Sequence, residues 1–312
     1  MKKKKWLNIL KWLWLVIVAA AAGWYFIGNF RDIRDNISSI RITRLLLSLL
    51  ILLIAKLLTA DLTYHSLKIT THPFSFIEAF SITSITQLGK YIPGGIWHFA
   101  GKFGIYKTRG ISAKAAAKPI IIENLWLIAS ALITGLLSLL LSRSTLPCRY
   151  LPFPCTNLNK LISILVLVLL WVFAVYIALR VIFQTAISPW LHLRLSIQQL
   201  IIWCLFGCSF WLIFPKNPEI DFLLQAVSAF SLSWALGYVA FFAPGGIGIR
   251  EAAMTLLLSA FFPPQTAAIY TAIHRLLWVV TEILLALFCM AFYGLPLGLQ
   301  HTETSTEITE KT

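Results

Sequence analysis

The chain has 312 residues, of which 59% are hydrophobic and 12% are charged, and its formal net charge is +14. A soluble domain carries about 25% charged residues, so the composition excludes an ordinary soluble fold, and the continuous apolar runs exclude a transmembrane β-barrel. The excess positive charge does not indicate nucleic-acid binding, because no zinc motif or aromatic RNA-binding motif accompanies it; basic cytoplasmic loops explain it better.

Six apolar runs are long enough to cross a bilayer as α-helices, which takes about 20 residues. In chain order they lie at residues 6–27, 45–65, 119–141, 161–183, 197–214 and 266–293. The first follows Lys2–Lys5 and resembles a signal peptide, but it is long for one, so we predict an uncleaved span. The Thr/Glu-rich residues 300–312 are predicted to be disordered, which makes residues 1–299 a single integral-membrane domain.

Two further apolar segments, residues 74–91 and 222–243, run into the motifs Pro93-Gly94-Gly95 and Pro244-Gly245-Gly246. Pro and Gly break helices, and bare backbone is tolerated at membrane depth only when it is packed in protein or lines a wet cavity. A pair of interrupted segments at matching positions of two halves is the best sequence indication of a transporter's substrate site. We therefore predict two re-entrant hairpins in an all-α, polytopic membrane protein.

The two motifs are 151 residues apart, and the same offset aligns other positions. It pairs Ile96 with Ile247, Ala116-Ala117 with Ala267-Ala268, Glu123 with His274, and Asn124 with Arg275. This pattern predicts a diverged internal repeat, with halves at about residues 45–141 and 197–293.

The basic residues favour a cytoplasmic N-terminus, because Lys2–Lys5 would then lie on the positively charged inner side. Arg31, Arg34, Arg41 and Arg44 lie on the opposite side and weaken this bias. In this orientation the first hairpin enters from the cytoplasm and the second from outside. The repeats would then be inverted relative to each other, as in many transporters.

The second motif predicts an anion site at Gly245, Gly246, Arg250 and Glu251. A helix N-terminus attracts anions, glycines allow a phosphate to approach the backbone, and an Arg can hold phosphate with two hydrogen bonds. Glu251 would position Arg250 or bind an amine. The alternative is a purely structural helix break that contains an internal Arg–Glu pair.

The first motif offers a similar set of substrate-binding candidates, namely Lys90, Gly94, Gly95 and His98. Lys90 and His98 flank the break, so this copy could also meet an anion. The alternative is an interfacial role, in which Lys90 extends to the headgroups and Trp97 lies at their level.

An intramembrane charge cluster is predicted on the spans that follow the hairpins, at Glu123, His274, Arg275 and Glu282. A charge that faces lipid costs at least about 2.5–3.5 kcal/mol, so these groups should face inward and pair. Glu123 with Arg275 is the expected pair, either as a structural ion pair or with a role in substrate or proton handling. Lys56 and Asp61, five residues apart on one span, are interpreted as structural.

Catalytic and metal-binding motifs were sought without success. No His-Glu-x-x-His, Gly-x-Ser-x-Gly or Walker sequence occurs, and the cysteines lack metal-site spacing, so we expect no enzyme activity, metal or cofactor. Cys148 and Cys155 flank a Pro-rich loop and are either disulfide-bonded or two free thiols.

Two segments carry a resemblance to a known family. They are Leu88-Gly89-Lys90-Tyr91-Ile92-Pro93-Gly94-Gly95-Ile96-Trp97 and Ala243-Pro244-Gly245-Gly246-Ile247-Gly248-Ile249-Arg250-Glu251-Ala252-Ala253. They resemble the transmembrane region of the lysylphosphatidylglycerol synthase/flippase family, over about residues 45–293. Asn124 departs from the family pattern, where a basic residue would be expected after Glu123.

The resemblance implies a flippase-like transporter that handles a phospholipid or a polyprenyl-linked lipid with an anionic headgroup, in a bacterial or archaeal cytoplasmic membrane. The soluble aminoacyl-transferase domain of full-length synthases has no counterpart here, so aminoacylation is not expected. One alternative is a non-transporting scaffold that presents a lipid-linked substrate to a separate glycosyltransferase or lipid-synthesis enzyme. Another is an intramembrane lipid transferase.

Overall fold

The structure is a computed structural model of the chain, and every regular element in the residues that it describes is helical. Those residues are 34, 38, 40–68, 74–92, 96–142, 157–177, 180, 188–214, 220–240, 243–259 and 261–294. The all-α fold class is therefore confirmed. The expectations for residues 6–27, for Pro93-Gly94-Gly95, for Cys148 and Cys155 and for the tail at 300–312 lie outside the described residues.

The described part of the chain forms nine α-helices and two short 3₁₀ turns. The helices are α1 (Ile42–Leu67), α2 (Phe76–Gln87), α3 (Trp97–Thr108), α4 (Ala113–Leu141), α5 (Asn157–Ile177), α6 (Pro189–Leu212), α7 (Ile220–Val239), α8 (Ile249–Leu258) and α9 (Pro264–Tyr293). We call Leu88–Tyr91, which follows α2, the first turn, and Pro244–Gly246, which lies between α7 and α8, the second turn.

Five of these helices, α1, α4, α6, α7 and α9, are long and apolar enough to cross a membrane. Four of them correspond to the spans predicted at 45–65, 119–141, 197–214 and 266–293. Helix α6 ends at Leu212, two residues before the end of the span predicted at 197–214. The span predicted at 161–183 corresponds to α5, whose apolar part within the described residues is the shorter Ile162–Ile177. The chain is thus a multi-pass membrane protein.

The two interrupted segments differ in length. Helices α2 and α3 have 12 residues each, which at about 1.5 Å per residue is too short to cross the hydrocarbon core. Helix α7 has 20 residues and is long enough to cross, although residues 222–243 were predicted to dip into the membrane. The re-entrant geometry stays a prediction for both segments.

Helix α1 shows how these helices divide their faces between a membrane and the protein interior. Leu46, Leu50 and Ile54 form an exposed apolar stripe, whereas Ser48 and Thr63 on other faces are fully buried. The Ser48 hydroxyl donates to the backbone carbonyl of Ser209 on α6 at 2.9 Å. Small polar residues of this kind bring membrane helices close together and satisfy each other across the contact.

Helix α2 begins with a complete capping box, because the Ser75 hydroxyl accepts from the Glu78 amide and the Glu78 carboxylate accepts from the Ser75 amide. Such a pair satisfies two of the amides that a helix N-terminus leaves free. Glu78 also accepts from Arg109 at 2.6 Å, just beyond the end of α3. This contact therefore joins the N-terminus of α2 to the C-terminus of α3.

The second turn is possible because of its glycines. Gly245 and Gly246 have φ of +60° and +73°, and Gly248 has φ of +86°, a region that other residues rarely adopt. A Cβ on Gly246 would also lie 2.9 Å from the Gly237 carbonyl oxygen of α7. The chain can therefore fold back tightly against α7 before α8 begins.

Helix packing pairs the two halves in a regular way. In the first half α3 contacts α2 and α4, and in the second half α8 contacts α7 and α9. Between the halves, α4 packs on α7 and α9 packs on α2. Helix α1 packs directly on α6. The two turns also contact each other. Shifted by 151 residues, the first residue of α4 falls on the first residue of α9. The internal repeat and its inversion across a membrane stay predictions.

Glycines at helix contacts yield a direct test of this packing. A Cβ on Gly207 of α6 would lie 2.4 Å from the Cα of Val227 on α7, whereas a Cβ on Gly104 of α3 would meet nothing within 4 Å. We expect Gly207→Ala to lower the free energy of unfolding by about 1–3 kcal/mol through overpacking. Gly104→Ala, which makes the same chemical change, should not lower it, since Ala favours a helix over Gly. Unfolding in detergent, followed by circular dichroism, would measure both, and equal stability of the two variants would contradict the packing.

Candidate functional site

A cavity of about 70 Å³ lies where the two turns meet the helices around them. Its walls come from both turns and from all the described helices except α5. The charged residues on its surface, Lys56, Lys90 and Arg250, are all basic. Its aromatic surface includes Trp203, Trp234 and Trp278. The cavity is thus cationic, has aromatic walls and lies inside a bundle of apolar helices.

Arg250, in the first turn of α8, is the most unusual of these residues. It is only 9% exposed, and among the described residues no carboxylate lies within ion-pair distance of it and its Nε has no hydrogen-bond partner. The guanidinium carbon lies 5.3 Å from the centroid of the Trp234 ring and 6.0 Å from that of Trp278. An Arg of this kind is stabilised by aromatic faces and is still short of an anionic partner.

Gly237 of α7 makes room for the Arg250 side chain. A Cβ at position 237 would lie 2.3 Å from Cγ and 3.0 Å from Cδ of Arg250. Real Cβ contacts do not occur at such distances, so the absence of a side chain at this position is required for the observed arginine conformation.

Lys56 and Lys90 share a single carboxylate. Lys56 Nζ donates to Glu282 Oε1 at 2.6 Å, Lys90 Nζ donates to the same oxygen, and the Tyr91 hydroxyl donates to Oε2 at 2.7 Å. Glu282 is only 2% exposed. One buried carboxylate thus joins α1, the first turn and α9, and it faces two ammonium groups.

The ring of Trp278 on α9 lies close to all three cations. The distances from its ring centroid are 3.7 Å to Lys56 Nζ, 5.5 Å to Lys90 Nζ and 6.0 Å to the Arg250 guanidinium carbon. Each is a cation–π contact, which is strongest when water is excluded. Trp278 therefore forms a common surface beneath the basic side of the cavity.

Arg275 does not line the main cavity and instead contacts the second turn and Glu251. Its Nη2 donates to the backbone carbonyl of Gly245 at 2.5 Å, and its Nε lies 3.7 Å from Glu251 Oε1. The other oxygen of Glu251 accepts from the Gly248 amide at 2.7 Å. Arg275 and Glu251 thus hold the second turn against α8 and α9.

This arrangement corrects two expectations. Glu251 was expected to position Arg250 or bind an amine, but it contacts Arg275 and caps its own helix. The free amides at the N-terminus of α8 were expected to attract an anion, but the Gly248 amide donates to Glu251. In the described residues, the charged side chains on the cavity surface are those of Lys56, Lys90 and Arg250.

The expected pairing of Glu123 with Arg275 is wrong. Lys102 of α3 donates to both carboxylate oxygens of Glu123 on α4, at 2.6 and 2.8 Å. Both residues are at most 3% exposed. Each of these two residues therefore pairs within its own half of the chain: Glu123 with Lys102 in the first half, and Arg275 with Glu251 in the second.

The two histidines among the candidates differ in position. His98 Nε2 lies 3.5 Å from the hydroxyl of Tyr238, whose proton is donated to Asn124. His274 Nε2 lies 3.0 Å from the Ser209 hydroxyl, which also bonds to α1. His98 borders the main cavity, whereas His274 borders a smaller one of about 20 Å³ that Arg250 also lines.

The structure brings five of the candidate residues to one cavity, namely Lys90, His98, Gly245, Gly246 and Arg250. Gly94 and Gly95 lie outside the described residues. Sequence reasoning missed Lys56, which was interpreted as structural, and also Gly237 and Trp278. A lysine in the middle of an apolar run was the available signal for Lys56, but its partner Glu282 is 226 residues away. In the described residues, His, Cys, Asp and Glu form no group of three that could hold a metal ion.

Comparison with known proteins agrees with this architecture. The sequence model of the family described as Lysylphosphatidylglycerol synthase TM region matches residues 12–286. No curated protein matches the chain.

The buried Lys102–Glu123 pair leads to a prediction about stability. Lys102→Met or Glu123→Gln alone should lower the free energy of unfolding by about 3–5 kcal/mol, because each leaves one buried charge unpaired. The double variant should lose less than the sum of the two single losses. Unfolding in detergent of the wild type and the three variants completes the double-mutant cycle, and additive losses would show that the pair is not coupled.

Proposed function

The chain belongs to the lysylphosphatidylglycerol synthase transmembrane-region family, and from this premise we propose that it is a lipid transporter of the flippase type. Its ligand would be a lipid with a phosphate-bearing headgroup, either a phospholipid or a polyprenyl-linked lipid. The observation that carries the proposal is Arg250, a buried arginine that lies on the wall of a cavity and has no carboxylate of the described residues within ion-pair distance. Intramembrane ionisable residues are costly and mark substrate pathways.

The chemistry of the cavity supports a phosphate group as ligand. Guanidinium and ammonium groups are the side chains that proteins use to bind phosphate, and Lys56, Lys90 and Arg250 present them on one surface. The cavity, with a volume of about 70 Å³, is small and suits a compact group. Its tryptophan walls can cover the apolar part of a headgroup that the cations hold.

The contact between the two turns supports a role in access. A Cβ on Gly245 would lie 3.5 Å from the Tyr91 ring and 3.7 Å from the Lys90 carbonyl oxygen, so the first and second turns touch at the cavity. If the halves are inverted, as the sequence predicts, movement of one half relative to the other would separate the turns on one side of the membrane at a time. The cavity would then open alternately to each leaflet.

In this function the cavity residues bind the lipid and catalyse no reaction. The protein would lie in the cytoplasmic membrane of a bacterium or archaeon, with its N-terminus in the cytoplasm. A scaffold that presents lipid to a glycosyltransferase would use the same anion site without translocation. It would be favoured if a partner enzyme co-purifies and the protein alone moves no lipid.

Arg250→Ala is the direct test. Hydrogen bonds to charged groups contribute about 1.5–3 kcal/mol, so the rate of headgroup translocation should fall by roughly tenfold or more. The measurement is the transfer of a labelled anionic phospholipid between leaflets of proteoliposomes that contain the purified protein. Arg194→Ala is the matched control, because Arg194 pairs with Asp61 on an exposed surface and its loss should leave the rate unchanged. Wild-type translocation by Arg250→Ala would overturn the proposal.

Gly237→Ala tests the position of Arg250 without removing its charge. The added methyl group would overlap the arginine side chain, so we expect the translocation rate to fall by several-fold or more, since a small displacement of a binding group is costly. Gly104→Ala, at an open position, should translocate at the wild-type rate in the same assay. An unaffected rate in Gly237→Ala would show that this arginine position is not needed.

A further inference from the structure

We infer that the ligand of the cavity carries two negative charges on one head, as a phosphate monoester does, and not the single charge of a phosphodiester. This inference rests on the proposed function and narrows its substrate class. It comes from the balance of buried charge around the cavity and from the number of cations that converge on one point.

The charge balance follows from the ion pairs of the described residues. Arg275 with Glu251 and Lys102 with Glu123 are pairs of opposite charge and contribute no excess. The remaining cations at the cavity are Lys56, Lys90 and Arg250, and the carboxylate that contacts any of them is Glu282. With Lys56, Lys90 and Arg250 all protonated, the described part of the cavity carries two positive charges more than it has negative ones.

An excess of this kind is unfavourable in a low-dielectric interior, because each buried charge loses its hydration and needs a compensating partner. A phosphodiester has one negative charge and would leave one cation uncompensated. A phosphate monoester has a second pKa of about 6 and carries up to two charges above it. It can therefore neutralise the excess completely.

The geometry agrees with the charge count. Lys56, Lys90 and Arg250 all lie within 6.0 Å of the centroid of the Trp278 ring. All three also line the same small cavity, so a single small head in it lies close to all of them. A monoester presents three terminal oxygens, which are strong hydrogen-bond acceptors, and a diester presents two. Three cations matched to three oxygens favour the monoester.

The test compares two lipids whose headgroups differ in the charge on phosphate, the diester also carrying a glycerol. Phosphatidic acid is a monoester and phosphatidylglycerol is a diester, and both can be made with the same acyl chains. The full-length protein in neutral detergent is mixed with equal amounts of both, at a pH about two units above the second pKa of roughly 6. Bound lipid is then quantified by native mass spectrometry. We expect a preference for phosphatidic acid of about tenfold or more, since the diester leaves a buried charge unpaired.

Removal of one cation should abolish the preference for phosphatidic acid over phosphatidylglycerol. Lys90→Met lowers the excess to one charge and leaves Glu282 paired with Lys56, so the preference for phosphatidic acid should fall to about onefold or below, in line with the charge balance. Arg194→Met is the matched control, because it removes the same charge from a partly exposed pair with Asp61. It should retain the wild-type preference. Size-exclusion chromatography checks that each variant is folded.

The outcomes separate this inference from the proposal on which it rests. If both lipids bind equally well and both are lost in Arg250→Ala, the two-charge ligand is wrong and the phosphate-lipid transporter stands. If neither binds more tightly than phosphatidylcholine, both fail. Inorganic phosphate is the third probe: if it binds as tightly as phosphatidic acid, the ligand is a free anion and the lipid assignment is overturned.

Discussion

The second turn interrupts the helical backbone between α7 and α8, and the structure around the cavity depends on how the polar groups at this break are satisfied. Arg275 reaches from α9 to the Gly245 carbonyl, and Glu251 closes the amide end of α8 while it faces the same arginine. Backbone groups that the break exposes are thus satisfied by side chains. Because this pair is internally neutral, it can hold the turn without contributing charge to the site.

The positive charge of the site comes from residues that have no comparable compensation. Lys56 and Lys90 share Glu282, and Arg250 lies near two tryptophan rings with no carboxylate of the described residues within ion-pair distance. Aromatic faces reduce the cost of burying these cations but do not cancel their charge. Adjacent residues thus differ in their contacts: Glu251 pairs with Arg275 and caps α8, whereas Arg250 lies on the cavity wall, where we propose that it binds the ligand.

Much of the architecture was predictable because long apolar runs have few alternatives to a membrane-spanning helix. The runs at 45–65 and 266–293 correspond to α1 and α9, and Pro244-Gly245-Gly246 lies between α7 and α8. The partners of the buried charges were not predictable in this way. Glu123 was expected to meet Arg275, and instead it binds Lys102 on the preceding helix. Long side chains can reach several neighbours, and the rotation of each packed helix decides which carboxylate is closest.

The sequence by itself determined that the chain is an all-helical membrane protein with two glycine-rich breaks, because hydropathy and helix-breaking residues act locally along the chain. It also determined that Arg250 would follow one of the breaks. Only the tertiary structure decided that Lys56 from α1, Lys90 from the first turn and Arg250 from α8 would meet over one tryptophan of α9. That convergence depends on the packing of helices far apart in sequence, and on a glycine at position 237 that leaves room for the arginine.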